Sequence, residues 1–380
     1  MIKIITIIGA RPQIIKSAAI SRVIKNKFNS DISEIIIHTG QHYDKNMSDI
    51  FIKELNISRP DYNLSIGSGT HGKQTARMIE EIEKVLQTEN PNCIILYGDT
   101  NSTLAGAVAA SKLKIPVAHV EAGLRSYKKH MPEEINRIVS DHASTFLFSP
   151  TQTGIDNLLK EGFKINPPPF HIDNPGIFLS GDVMYDNSLY YSKIAAIRSD
   201  ILKSKKLTSK EYILTTIHRE NNTDELTRLT NLLSAFIQIY ENFHIPIFLP
   251  IHPRTLKTID KLDLNLINRI RNCKGLLISE PAPFFDILIL EKNAKIIITD
   301  SGGVQKEAFF NNVPSIILRS ETEWIEIIEN DAGKLVDADI NNILNATEYY
   351  LNNNIVEFKP IFGNGKASEY ICTELIKALD

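Results

Sequence analysis

The sequence predicts an α/β protein built from two doubly wound parallel sheets in series. Short β-branched apolar runs alternate with amphipathic helical patterns, the runs are continuously apolar rather than alternating, and the rhythm breaks once at a proline-rich stretch before it restarts. Continuous apolar strands suit a parallel sheet covered on both faces, because neither face meets water. At 380 residues the chain exceeds the size at which a single core stops growing, so two domains are expected.

The first set of runs is IKIITIIG (2–9), SEIIIHTG (33–40), NCIILYGD (92–99), PVAHVEAG (116–123) and TFLFSP (145–150). Within 72–88, Ala76, Met78, Ile79, Ile82, Val85 and Leu86 recur at three- and four-residue spacing opposite Glu and Lys, as in a helix packed on a sheet. Successive βαβ units cross over right-handedly, which gives a doubly wound series. The four prolines of KINPPPFHIDNP (164–175) exclude a helix or central strand and mark an ordered excursion or hinge region. Then come YILTTIHR (212–219), PIFLPIHP (246–253), GLLISEP (275–281), KIIITDSG (295–302) and PSIILRS (314–320). A last helix, from about Ala367 to Leu379, is expected to cross back to the first domain. The expected division is 1–175 joined by 365–380, and 176–364, with ligands bound in a cleft at the carboxyl edges of the two sheets.

Composition narrows the class. Hydrophobic content of 43% with charged content of 23% is that of a globular enzyme, and 42 basic against 45 acidic residues leave no basic face for a nucleic acid. Cys93, Cys273 and Cys372 stand far apart and never as CxxC, which argues against a disulfide framework or zinc site and fits a reducing cytosol. MIKIITIIGARP reads as a buried first strand, since Arg11 follows the apolar run and no cleavage site appears. No apolar stretch reaches membrane-spanning length, so a cytoplasmic protein without membrane insertion is expected. GARPQI is not GxGxxG, no GxxxxGK[ST] occupies a strand-to-helix turn, and no HExxH occurs. Neither a redox cofactor, a P-loop nor a metal is expected.

Chemistry-bearing residues gather where strands end. Gly9-Ala10-Arg11-Pro12 with Lys16 suits an anion at a helix start, although a tight turn with solvated charges explains it equally well in isolation. Asp99 and Glu121 end neighbouring runs, and Met131-Pro132-Glu133-Glu134 with Asn136 and Arg137 follows. A single strand-end acid is usually a helix cap, but adjacent carboxylates raise one another's pKa and make proton-transfer groups. The second half supplies His218-Arg219, His252-Pro253-Arg254 and Asp300-Ser301-Gly302-Gly303, with Glu307 one turn into the helix. An SGG turn leaves backbone N–H groups open to a phosphate, and Glu307 can accept from a ribose hydroxyl. His38, His42, His71 and His244 read as ordinary polar or packing residues.

GARPQIIK (9–16), GDTNSTLAG (98–106), HVEAGLRS (119–126), MPEEINR (131–137), HRENN (218–222), HPRT (252–255), DSGGVQKEA (300–308) and FGNGKAS (362–368) occur in this order over nearly the whole chain. Together they resemble the non-hydrolysing UDP-N-acetylglucosamine 2-epimerase family. The resemblance implies the glycosyltransferase-B architecture, a homodimer, a UDP-sugar substrate inverted at C2, and a role in surface polysaccharide synthesis. It assigns proton transfer to Asp99, Glu121 and Glu133, and places His218 beside the diphosphate. Arg11 and Lys16 become cations near the phosphates, Ser301, Gly302 and Gly303 the phosphate turn, and Glu307 the ribose ligand. Arg137, Arg219 and His252 complete the expected UDP-sugar contacts.

The chain departs from the common pattern at Gln13, at Asn221, in a shorter stretch between Arg125 and Pro132, and at Trp324, where an arginine is usual. These departures resemble the branch acting on UDP-2,3-diacetamido-2,3-dideoxy-glucuronate. Gln41-His42-Tyr43-Asp44 keeps only part of the run that binds an activating second UDP-GlcNAc in ordinary members. The alternative on the same architecture is a glycosyltransferase using a UDP-sugar donor.

Overall fold

The structure is a computed structural model that describes residues 1–41, 58–352 and 356–379. His42, Tyr43 and Asp44 of the activator-like run lie outside the described residues. Among the described residues, a seven-stranded sheet contains β1 (Ile2–Ile8), β2 (Ile32–His38), β3 (Tyr62–Asn63), β4 (Cys93–Tyr97), β5 (Val117–Val120), β6 (Phe146–Ser149) and β7 (Gly176–Leu179), in the order β3-β2-β1-β4-β5-β6-β7. A six-stranded sheet contains β8 (Ile213–Thr216), β9 (Ile247–Pro250), β10 (Leu276–Ser279), β11 (Ile296–Thr299), β12 (Ser315–Ile317) and β13 (Gly333–Leu335), in the order β10-β9-β8-β11-β12-β13. All strand pairs are parallel. Every apolar run read from the sequence forms a strand, and β1, β4 and β11 are buried almost throughout, as cover on both faces requires.

Two compact units emerge: Met1–Asn187 with Pro360–Asp380, and Ser188–Lys359. The first unit therefore continues past the proline-rich stretch, where the sequence led us to expect a boundary at 175. The reason is β7, which pairs with β6 from Gly176 to Leu179 and sets Phe178 5.0 Å from Phe148, ring to ring. The first unit also takes the chain back at Pro360, a few residues before the expected 365. Its last helix, Ala367–Leu379, buries Ile371, Cys372 and Leu375 completely in the cluster that holds Ile4 and Ile20. The Asp186 carboxylate caps that helix by accepting from the backbone N–H groups of Ala367 at 3.1 Å and Ser368 at 2.7 Å. No helix among the described residues is long and apolar enough to cross a membrane.

Each sheet reverses its winding once, between β1 and β4 in the first and between β8 and β11 in the second. Outside the carboxyl ends of strands at such a switch point, helix starts and strand ends diverge and leave a crevice. The candidate residues stand at these two places.

Candidate active site

At the first switch point, Gln13 ties β1 to β4. Its side-chain oxygen accepts from the backbone of Gly9 at 2.9 Å and Ala10 at 3.1 Å, and its amide donates to the Tyr97 carbonyl at 2.9 Å and the Thr103 hydroxyl at 3.0 Å. A carboxylate in this buried place has no proton to donate to the Tyr97 carbonyl, so the Gln13 departure noted in the sequence has a structural reason. The stitch fixes the start of the helix Arg11–Lys27, one turn into which Lys16 forms a half-buried ion pair with Glu121. Lys16 also passes so near Gly98 that a Cβ there would stand 3.1 Å from its Nζ, and Gly98 has φ +62°. A side chain at Gly98 would be strained in conformation and would press on Lys16.

Glu121 follows β5 with φ +76°, a left-handed conformation that costs a branched carbon about 1–2 kcal/mol. Its N–H and that of Ala122 both point to the Phe148 carbonyl at 3.0 Å, so neighbouring β6 holds the turn in that state. Backbone strain of this kind concentrates at functional positions. Asp99, after β4, accepts from Arg137 at 2.5 Å, while its backbone carbonyl accepts from the Asn136 side chain at 2.9 Å. Asp99, Glu121, Lys16 and Arg137 are therefore held by adjoining strand ends and by the helices Arg11–Lys27 and Pro132–His142.

The two glutamates of the PEE run part company. Glu133 is exposed and has no ion-pair or hydrogen-bond partner among the described residues. Glu134 is buried, accepts from the backbones of Ser126 and Tyr127 at 3.0 and 2.7 Å, and grips Arg137 at 2.9 Å. Burial raises its carboxyl, but the Ser126 amide, Arg137 and the Tyr127 amide outweigh burial and hold it below the ordinary value. Glu134 thus fixes Arg137 against Asp99, a role sequence reasoning missed. Its three-residue spacing to Arg137 on one helix face was the available signal.

Behind both turns lies a buried ionic network that sequence reasoning also missed. His119 sits between the Asp141 carboxylate at 2.6 Å and the Gly98 carbonyl at 2.7 Å, and Arg125 reaches Asp141 at 2.7 Å and Glu161 at 2.7 Å. Burial raises the Asp141 carboxyl; His119 and Arg125 outweigh it and keep it below its usual range. The signal was a histidine inside an otherwise apolar strand, since a fully buried polar group needs partners.

At the second switch point, Asp300 is buried and accepts from the backbone N–H of His218 at 2.9 Å and Arg219 at 3.1 Å, and from Asn222 at 3.0 Å. Burial raises its carboxyl, but His218, Asn222 and these amides together hold it low. Asp300 thereby sets the turn that leaves the His218 side chain 60% exposed, its ring 3.8 Å from the Asp300 carboxylate. Arg219 and His252 are exposed too. His252 uses Nδ1 to cap the helix Pro253–Ile259, accepting from the Arg254 backbone at 3.2 Å, so only its other nitrogen is left toward solvent.

Ser301 caps the helix Gly302–Phe310, and Gly303 at its start is exposed. A Cβ on Gly302 would collide with the Glu323 carboxylate, which pairs with Arg319 at 2.8 Å. Glu307 lies beside fully buried Glu291, whose carboxyl is pushed well above the usual range first by burial and then by the Glu307 charge. Trp324 is buried at 3% exposure with the Lys306 ammonium 4.2 Å from its ring. Its side chain packs inside the second unit, with Nε1 3.6 Å from where a Cβ on Gly302 would stand.

Comparison with known proteins identifies the family and the fold. The family model described as UDP-N-acetylglucosamine 2-epimerase covers residues 25–376. The chain is 46% identical over 96% of its length to a UDP-N-acetylglucosamine 2-epimerase homolog of Methanococcus maripaludis, covering 97% of that protein. It is 44% identical to the UDP-2,3-diacetamido-2,3-dideoxy-D-glucuronate 2-epimerase of Pseudomonas aeruginosa, over 99% of both chains. The crystal structure of Methanocaldococcus jannaschii UDP-GlcNAc 2-epimerase in complex with UDP-GlcNAc and UDP superposes with a TM-score of 0.83 at 44% identity, covering 99% of each chain. The expected α/β class, glycosyltransferase-B-like with two doubly wound units, holds, and the chain belongs to the UDP-N-acetylglucosamine 2-epimerase family.

Proposed function

We propose that this chain inverts C2 of a UDP-2-acetamido sugar by eliminating and re-adding UDP. One observation carries the reading: carboxylates paired with cations occupy the first unit's switch point, while an exposed histidine and a glycine-opened helix start occupy the second's. The C2 proton of such a sugar has no neighbouring carbonyl, so enolisation is closed. The C1–O bond breaks with its electron pair leaving on UDP, a carboxylate takes the C2 proton, and a glycal forms. Reprotonation on the opposite face and return of UDP to C1 complete the inversion.

In this reading Asp99, Glu121 and Glu133 carry the proton, with Arg11, Lys16 and Arg137 balancing charge around the sugar and phosphates. His218, Arg219, His252 and the Ser301-Gly302-Gly303 turn stabilise the departing diphosphate, and Glu307 holds the ribose. The first unit does the proton chemistry and the second binds UDP; no metal or redox cofactor enters. Relatives named for UDP-N-acetylglucosamine and for the diacetamido-glucuronate both stand at 44% identity. Trp324 and the short Arg125–Pro132 stretch favour the uronate, and a side-by-side assay of both sugar nucleotides separates them. A cytoplasmic homodimer supplying surface polysaccharide precursors completes the proposal, with light scattering as the check on assembly.

Incubation with the UDP-sugar in heavy water is the decisive experiment. Product and recovered substrate should both carry deuterium at C2. Retention of hydrogen there, with sugar transferred to an acceptor, would instead establish the glycosyltransferase reading.

A further inference from the structure

The network behind the first switch point carries an inference about how the two turns are held. His119 is completely buried at the end of β5, and each ring nitrogen faces an acceptor: Asp141 Oδ1 lies 2.6 Å from Nδ1, and the Gly98 carbonyl oxygen 2.7 Å from Nε2. A neutral imidazole has a single N–H, so both contacts are satisfied only when both nitrogens are protonated. The surroundings accept that charge. Asp141 also binds Arg125 at 2.7 Å, and Arg125 binds both oxygens of Glu161 at 2.7 Å, so two cations face two carboxylates.

What this pair touches matters more than its burial. Gly98 immediately precedes Asp99. The second Asp141 oxygen accepts from the Gly123 backbone at 3.1 Å, two residues beyond the strained Glu121. One buried ion pair therefore closes both turns.

We propose that His119 is a positioning residue: an imidazolium clamped between Asp141 and the Gly98 carbonyl that fixes the turns of Asp99 and Glu121 relative to each other. The proposal rests on the reading of those two carboxylates as proton-transfer groups. A histidine that merely fills space would hold neither nitrogen to a fixed protonation state, nor distinguish the two turns.

Two measurements test it. In wild-type protein labelled with ¹⁵N-histidine, at about pH 7.5, the His119 resonance should show two protonated ring nitrogens. It is assigned by its loss in His119→Gln or His119→Asn. A single unprotonated nitrogen overturns the proposal. In the second arm, His119→Gln keeps a donor near the Nε2 position, facing Gly98, whereas His119→Asn keeps one near Nδ1, facing Asp141. Turnover should fall about tenfold in the Gln variant and about a hundredfold in the Asn variant, with UDP affinity within about twofold of wild type in both. Equal turnover in the two variants, or UDP affinity falling in step with turnover, overturns it. Failure of the underlying reading looks different: Asp99→Asn and Glu121→Gln would then retain C2 exchange in heavy water, while the His119 resonance stays as described.

Discussion

Around the first sheet's switch point the charged groups are largely buried and already paired: Lys16 with Glu121, Arg137 with Asp99 and Glu134, His119 and Arg125 with Asp141. Around the second, His218, Arg219, His252 and Arg254 stand exposed, Arg254 paired with Asp224, and buried Asp300 spends its oxygens on backbone and Asn222. The strand order about the two points is the same. One topology thus supports two electrostatic designs. Proton transfer to carbon wants carboxylates fixed in advance, since reorganising them during reaction would add to the barrier. A diphosphate brings its own charge, and open amides with solvated cations suffice to receive it.

The comparison breaks most visibly if the acids turn out to bind rather than react. Glu121→Gln should lower turnover by about 10²–10⁴-fold while UDP affinity measured by calorimetry stays within about twofold. A parallel loss of UDP affinity would erase the division of labour. Arg137→Met removes the partner of Asp99 and leaves Glu134 buried beside an apolar chain. Turnover should drop about a hundredfold, with a loss of about 2–3 kcal/mol in stability. Glu134 is held below the ordinary carboxylate value, so its stabilisation is full above that value and is lost as pH falls through the folded one. The substitution should therefore flatten the acid limb of the unfolding curve.

Gly302→Val sharpens the other side. The added side chain meets Glu323 and closes the helix start, and UDP should bind about ten- to a hundredfold more weakly, equivalent to one or two charged hydrogen bonds. The smallest effect is expected from Glu291→Gln. The Glu291 carboxyl is raised, so its burial costs stability once pH exceeds the ordinary carboxylate value, the reverse of Glu134. The amide carries no charge to bury beside Glu307. Melting temperature should rise by about 2–4 °C at pH 8, and the gain should vanish toward pH 4.

Much of this was legible beforehand because strands announce themselves. Ten continuous apolar runs became ten strands, and the expected residues stand at strand ends or within the first two turns of the helices that follow. β3 and β13 were not legible, being two and three residues long with polar members. β7 was hidden behind the prolines, and only its pairing with β6 shows that the first unit continues through it. Within the site, the sequence distinguishes residue types but not which of two neighbours turns inward. Glu133 and Glu134 are identical side chains one position apart; helix geometry sends one to solvent and one into the Arg137 grip. Trp324 looked like a specificity residue, and its indole is packed under Lys306 with Nε1 beside Gly302, a contact that no linear pattern announces. His119 was passed over because its importance lies in two backbone turns that no linear pattern joins.

The return of the chain to the first unit at Pro360 sets an order on biosynthesis. Ribosomal synthesis delivers every strand of the first sheet early, but the apolar seat of Ile371, Cys372 and Leu375 stays open until residues 367–379 have been made. The second unit, contiguous from Ser188 to Lys359, can close before that. A released chain truncated just short of Ala367 should therefore resist protease in its second unit and remain cleavable in its first.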